Sequence, residues 1–90
     1  MTGMDEFQNL CKKKVLEYYN NRVEKTDNNK IGIYDVYVVW SCRVLQNYKA
    51  LLSTTVSDGM YYELTFSGDK NLLYFDAYKK WENICYDITD

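Results

Sequence analysis

Histidine and proline are absent from this sequence, and glycine occurs only four times in ninety residues. Without histidine, the chain lacks the usual general base, the usual serine or cysteine triad and the most common zinc ligand. It also has no glycine-rich phosphate loop and no dinucleotide-binding fingerprint. No spacing groups its carboxylates into an acid–base pair. These absences predict a protein that is not an enzyme and that needs neither a metal nor a cofactor.

An excess of one charge is absent as well, because eleven lysines and arginines stand against thirteen aspartates and glutamates, for a formal net charge of −2. That balance disfavours nucleic acid as a partner, since strong binding depends on neutralising many phosphates. The basic run Lys12 to Lys14 is interpreted as a solvated helix face. Apolar runs are too short for a signal core or a membrane span, so we expect no membrane association and a cytoplasmic location.

The three cysteines, Cys11, Cys42 and Cys85, are far apart in sequence and odd in number. This pattern argues against a disulfide framework and favours a reducing compartment. Cys11 falls in the apolar stripe of a predicted helix and Cys42 in the apolar face of a predicted strand, so we expect both thiols to be buried. Cys85 is expected to be exposed if the end of the sequence bends away.

Tyrosine is what the sequence has in excess, with ten among ninety residues. Tyrosine combines an apolar ring with a hydroxyl at a low cost in rotamer entropy, and it is enriched in binding interfaces. A core small enough for ninety residues holds few such rings. The composition therefore favours recognition over catalysis.

The periodicity predicts an α+β fold in one domain spanning residues 1–90, with an amphipathic helix packed on a four-stranded antiparallel meander. Apolar residues spaced by three or four indicate the helix at residues 4–24. Alternation and turn signals indicate the strands at residues 35–45, 49–56, 60–66 and 72–78. Residues 79–90 are ambiguous, because Trp81, Ile84 and Ile88 have helical spacing while their residue types favour a strand. We expect a short helix or a strand extension there, with a bend or short helix somewhat favoured by length.

Alternation in the first strand predicts which side chains face the helix. Val36, Val38, Trp40, Cys42 and Val44 form one wholly apolar face, which we expect to join the core with Leu64, Phe66, Leu73 and Phe75. Tyrosines and charged residues then alternate on the opposite face of the sheet. From that face we predict a partner-binding set of six residues: Tyr37, Arg43, Tyr61, Glu63, Tyr74 and Tyr78.

Two other interpretations of these tyrosines stay open. Cross-strand aromatic pairs stabilise an open sheet by roughly 0.2 to 1 kcal/mol each without any partner. The same face could instead pair with a second copy, because twofold dimers are the most common closed assemblies. The identity of the partner is beyond what these patterns predict.

Four stretches resemble a family of small uncharacterised proteins found in phages and prophages of Gram-positive bacteria. They are residues 35–42 (DVYVVWSC), 45–55 (LQNYKALLSTT), 58–63 (DGMYYE) and 74–83 (YFDAYKKWEN). The resemblance covers nearly the whole chain. It implies an accessory protein made inside a bacterial cell, and it implies no activity and no catalytic residues.

Together these observations predict a small phage or prophage accessory protein that binds a bacterial host protein, such as a defence component, and modulates or inhibits it. Tyrosine rings would supply most of the affinity, and charges would fix the register. The alternative is a homo-oligomeric module that binds or sequesters a small metabolite or nucleotide signal.

Overall fold

One helix packs against a four-stranded antiparallel sheet in the computed structural model of the chain, which describes residues 3–23 and 30–89. The elements are the helix α1 (Met4–Arg22), a short 3-10 turn (Ile33–Asp35) and the strands β1 (Val36–Val44), β2 (Asn47–Thr54), β3 (Met60–Ser67) and β4 (Leu72–Lys79). The strands follow one another in the order β1-β2-β3-β4. The predicted α+β architecture is confirmed.

The helix presents the apolar stripe that the sequence predicts. Phe7, Cys11 and Val15 recur every four residues and are fully buried, because residues at that spacing lie on one side of an α-helix. The helix ends at Arg22, and Val23 is already extended. The predicted end at residue 24 lies outside the described residues. The side-chain amide of Asn20, near the end of the helix, exchanges two 3.0 Å hydrogen bonds with the backbone of Ile31. These bonds attach the segment that precedes β1 to the helix.

β2 begins at Asn47, two residues before the predicted start at residue 49. Val44 pairs with Asn47, so the turn between β1 and β2 consists of Leu45 and Gln46 alone. Tyr48, which the predicted bounds left outside the strands, therefore lies within β2. It is 3% exposed and packs its ring 5.2 Å from that of Phe7.

A β-bulge in β1 changes which side chains face the helix. Val38 pairs with Leu52 and Trp40 pairs with Leu51, so Val39 is an extra residue between them. Because side chains alternate along a strand, one extra residue reverses the two faces of everything that follows. The prediction that Trp40, Cys42 and Val44 face the helix is therefore wrong.

The core lies between α1 and the helix-facing side of the sheet. Its buried residues are Phe7, Cys11, Val15, Val36, Tyr48, Ala50, Leu52, Tyr62 and Leu64. Val38, Phe66, Leu73 and Phe75 pack against them as predicted. The ring of Tyr18 on the helix meets those of Tyr62 and Phe75 at 5.7 Å and 5.0 Å. Tyr48 and Tyr62 are thus structural tyrosines.

Residues 80–89 follow β4 without helix or strand, and all ten are exposed. Neither the short helix nor the strand extension expected after residue 78 is present in them, although β4 itself continues to Lys79. The backbone N–H of Lys80 still donates to the carbonyl of Gly59 at 2.7 Å. Within the described residues, no helix is both long enough and apolar enough to cross a bilayer.

Candidate protein-binding face

The surface of the sheet that points away from α1, here called the outer face, carries most of the exposed aromatic and large apolar side chains of the strands. Each of them is between 43% and 63% exposed: Tyr37, Trp40, Val44, Leu72, Tyr74 and Tyr78. The register places them there, because their neighbours Tyr48, Tyr62 and Leu64 point into the core. No described element covers this surface.

Two predicted tyrosines face each other at one end of the outer face. Tyr61 on β3 is directly opposite Tyr78 on β4. The ammonium of Lys80 lies 5.9 Å from the centre of the Tyr61 ring, close enough for a cation–π contact. Tyr61 is partly buried, whereas Tyr78 is 51% exposed. This arrangement presents one fixed ring and one accessible ring side by side.

A charged band crosses the middle of the outer face. Glu63 lies between Leu51 on β2 and Asp76 on β4. Its carboxylate forms an ion pair with the ammonium of Lys49, with 3.5 Å between the nitrogen and the oxygen, and both side chains retain solvent contact. Such a surface pair contributes little to stability. It places one cation beside one carboxylate, and Asp76 adds a second carboxylate on the neighbouring strand.

Tyr37 and Tyr74 flank this band. Tyr37, at the start of β1, pairs with Ser53, and Tyr74 on β4 pairs with Thr65. Because adjacent strands are about 4.8 Å apart, β1 and β4 are separated by roughly 14 Å. Tyr37, Tyr61, Glu63, Tyr74 and Tyr78 therefore share one surface, as the sequence pattern predicts.

Arg43 does not lie on that surface, so the prediction that it shares a face with the tyrosines is wrong. It follows the bulge, pairs with Tyr48 and lies on the helix-facing side of β1. Its guanidinium stacks 5.3 Å from the centre of the Tyr48 ring, and its Nε donates to the carbonyl of Leu45 at 2.9 Å. The extra residue Val39 is the cause.

The outer face also holds three residues that sequence reasoning assigned to the core, namely Trp40, Cys42 and Val44. Cys42 is exposed, which corrects its expected burial. One feature of the sequence is compatible with the observed side. Ser41 is polar and can face the helix because a polar helix residue, Gln8, donates a hydrogen bond to its hydroxyl at 2.7 Å.

A groove of about 680 Å³ opens beside Tyr37 and Tyr61, at the end of the sheet where β2 turns into β3. Ser53 and Lys80 also line it, together with residues of the connecting loop. The loop is held in place, since Thr55 donates from its backbone and from its hydroxyl to Asp35 at 2.9 Å and 3.1 Å. The groove therefore combines aromatic walls, hydroxyl groups and one cation.

The thiols offer no grouped site. Cys11 is buried as expected, and its burial raises the pKa of the thiol to about 12. Cys85 is exposed, like Cys42. Among the described residues, no three cysteine, aspartate or glutamate side chains come together in a way that would hold a metal ion.

Comparison with protein families places the chain. A family model described as a family of unknown function, DUF6275, matches residues 8–88. The match begins within α1 and includes all four strands and most of the segment that follows them. Searches of curated proteins and of solved structures gave no significant match. Because the match spans nearly the whole sequence, the chain belongs to the DUF6275 family.

Proposed function

We propose that the outer face binds another protein, and that the chain acts by occupying that protein rather than by catalysis. The observation that carries the proposal is the concentration of exposed aromatic side chains on one uncovered sheet surface: Tyr37, Trp40, Tyr74 and Tyr78. Tyrosine and tryptophan are enriched among the residues that dominate binding energy. Hydroxyl and indole groups also keep such a surface compatible with water when the partner is absent.

The dimensions of the outer face suit a partner of this kind. Strands of eight or nine residues give a length of about 27 Å, and four strands give a width of about 19 Å with their flanks. The resulting area of about 500 Å² is somewhat below the roughly 800 Å² that each partner buries in a standard interface. The adjoining groove and the sheet edges supply additional area.

The charged band would fix the orientation of the partner. The band combines one cation, Lys49, with two carboxylates, Glu63 and Asp76, which lie side by side on β3 and β4. Complementary charges across an interface contribute more to specificity and association rate than to affinity. The groove beside Tyr61 would accept a protruding side chain, and Lys80 favours an acidic one.

A bacterial protein, met in the cytoplasm, is the partner we propose. This part rests on the resemblance to small phage and prophage proteins of Gram-positive bacteria, which implies production inside the host cell. A host protein whose activity is modulated or inhibited, including a defence component, fits a small domain with a large aromatic surface. No nucleic acid or membrane surface is part of the proposal.

Affinity capture from a Gram-positive bacterial lysate tests the proposal. We expect the wild-type chain to retain one host protein in stoichiometric amount and the double variant Tyr61→Ser/Tyr74→Ser to lose it. Tyr34→Ser is the matched control, because Tyr34 is 99% exposed and lies outside the sheet. Thermal unfolding must show that all variants are folded. Equal capture by the double variant would place binding elsewhere.

The groove favours a second candidate function, the binding of a small metabolite or nucleotide. Its volume of about 680 Å³ is within the range of small-molecule sites. A ligand that binds only the folded state at a hundredfold excess over its dissociation constant stabilises the protein by about 2.7 kcal/mol. A thermal-shift screen of metabolites separates the candidates, because Lys80→Ala should abolish such a shift while Tyr74→Ser should not.

A further inference from the structure

Residues 80–89, here called the arm, expose large apolar side chains that no other described part of the chain covers. Trp81 is 95% exposed, Ile84 56%, Tyr86 75% and Ile88 83%. Single exposed apolar residues are ordinary, but four within one short segment indicate a surface that binds another molecule. The family match continues to residue 88, so the arm is part of the family's domain.

The arm has the pattern of a strand. Ile84, Tyr86 and Ile88 alternate with Cys85 and Asp87, which gives one apolar side and one small or polar side. Among the described residues it pairs with no strand. A strand-like segment without a partner leaves its backbone groups free to join a sheet edge.

The chain is more extended than a compact domain of its length. A compact domain of ninety residues has a radius of gyration of about 12 Å, whereas this chain has 15.1 Å and a longest dimension of 52 Å. The arm leaves from β4, at the opposite edge of the sheet from β1. Its ten residues reach about 33 Å when extended, which is enough to lie along a neighbouring molecule.

The free edge of β1 has two sides that match those of the arm. After the bulge, Trp40, Cys42 and Val44 point to the outer face and are all exposed. Ser41 and Arg43 point to the helix-facing side, and Arg43 forms no ion pair with any described carboxylate. Five regular residues follow the bulge, and the amphipathic part of the arm has the same length.

We propose that the arm of one copy adds as a fifth strand to β1 of a second copy, and that the exchange is reciprocal in a twofold dimer. Ile84, Tyr86 and Ile88 would then continue the apolar surface of Trp40 and Val44. Asp87 falls on the opposite side, the side of Arg43. In a parallel arrangement Asp87 lies beside Arg43, and in an antiparallel one it lies one position further along the same side.

β4 suits the arm less well. Its outer side presents Asp76 between Tyr74 and Tyr78, which is not an apolar row. A cation, Lys79, lies on its helix-facing side only at the end of the strand. Among the described strands, β1 alone combines an apolar triplet on its outer side with an arginine on its helix-facing side.

Analytical ultracentrifugation of the 90-residue chain tests the exchange. We expect a dimer at micromolar concentration, and we expect Tyr86→Lys to be monomeric with an unchanged melting profile of the body. Arg43→Asp alone and Asp87→Arg alone should each raise the dimer dissociation constant about tenfold. The exposed controls Lys13→Asp and Asp5→Arg should leave it unchanged.

Mixing gives the decisive result. In an equimolar mixture of Arg43→Asp and Asp87→Arg chains, a reciprocal exchange brings every residue 43 beside a residue 87 of opposite charge, so dimerisation should return to the wild-type constant. A monomeric wild-type chain at 200 µM, or a mixture as weak as its components, would overturn the proposal. These readouts are independent of the capture experiment, because Tyr61 and Tyr74 are not altered.

Discussion

The side-chain amide of Gln8 donates a hydrogen bond to the hydroxyl of Ser41, with 2.7 Å between the two atoms. This contact joins α1 to β1 just after the bulge. It defines the helix-facing side of β1 and thereby places Trp40 and Cys42 on the outer face.

A double-mutant cycle measures this contact. We expect Gln8→Ala and Ser41→Ala each to lower the free energy of unfolding by about 1 kcal/mol, and the double variant to cost little more than either, because both remove the same bond. Urea denaturation gives the values. Fully additive losses would mean that the two side chains do not interact.

The outward position of Trp40 predicts an unequal response to truncation. Leu52→Ala removes a fully buried side chain and should cost about 2–5 kcal/mol. Trp40→Ala removes a larger side chain that is 43% exposed and should cost clearly less in a monomeric background such as Tyr86→Lys. If urea denaturation gave equal losses in the free energy of unfolding for the two variants, Trp40 would be a core residue.

The turn between β1 and β2 offers a stabilising substitution. Leu45 has a φ of 57° and is 78% exposed, so it adopts a left-handed conformation while its side chain packs little. Leu45→Gly should raise the free energy of unfolding by about 0.5–1 kcal/mol. Asn71→Gly is the control, since asparagine tolerates its φ of 54°. A melting temperature lowered by Leu45→Gly would contradict the expectation.

Thiol reactivity should separate the three cysteines. Cys42 and Cys85 are exposed and Cys11 is buried. With an aromatic disulfide reagent at pH 8, in the monomeric Tyr86→Lys background, we expect two thiols to react within the mixing time and the third only when the chain unfolds. Cys42→Ser should remove one fast equivalent. Three fast thiols in the native protein would show that Cys11 is accessible.

The raised pKa of Cys11 makes the fold sensitive to alkali. Burial moves the pKa from its ordinary 9.0 to about 12, so above pH 9 the unfolded chain loses a proton that the folded chain keeps. Stability is therefore full below pH 9 and falls between pH 9 and 12, by about 1.4 kcal/mol at pH 10. Cys11→Ala should lack this part of the decline. If the free energies of unfolding of the wild type and Cys11→Ala, measured by urea denaturation, fell equally from pH 8 to 10, this expectation would be refuted.

The outer face was largely readable from the alternation of residues. Tyr61, Glu63, Tyr74 and Tyr78 lie on strands without irregularity, so a period of two was enough to assign them. Tyr37 precedes the bulge and was assigned correctly for the same reason. Arg43 follows the bulge and was not.

By itself, the sequence determined the helix, the four strands and their order, because the spacing of apolar residues and the turn residues are local properties. The sides of β1 after Val39 were decided only by tertiary structure. Strict alternation placed Trp40, Cys42 and Val44 toward the helix, but the bulge at Val39 turned Ser41 and Arg43 to that side instead, where Ser41 accepts a hydrogen bond from Gln8. The local pattern of the arm suited helix and strand alike, and no described strand pairs with it to select between them.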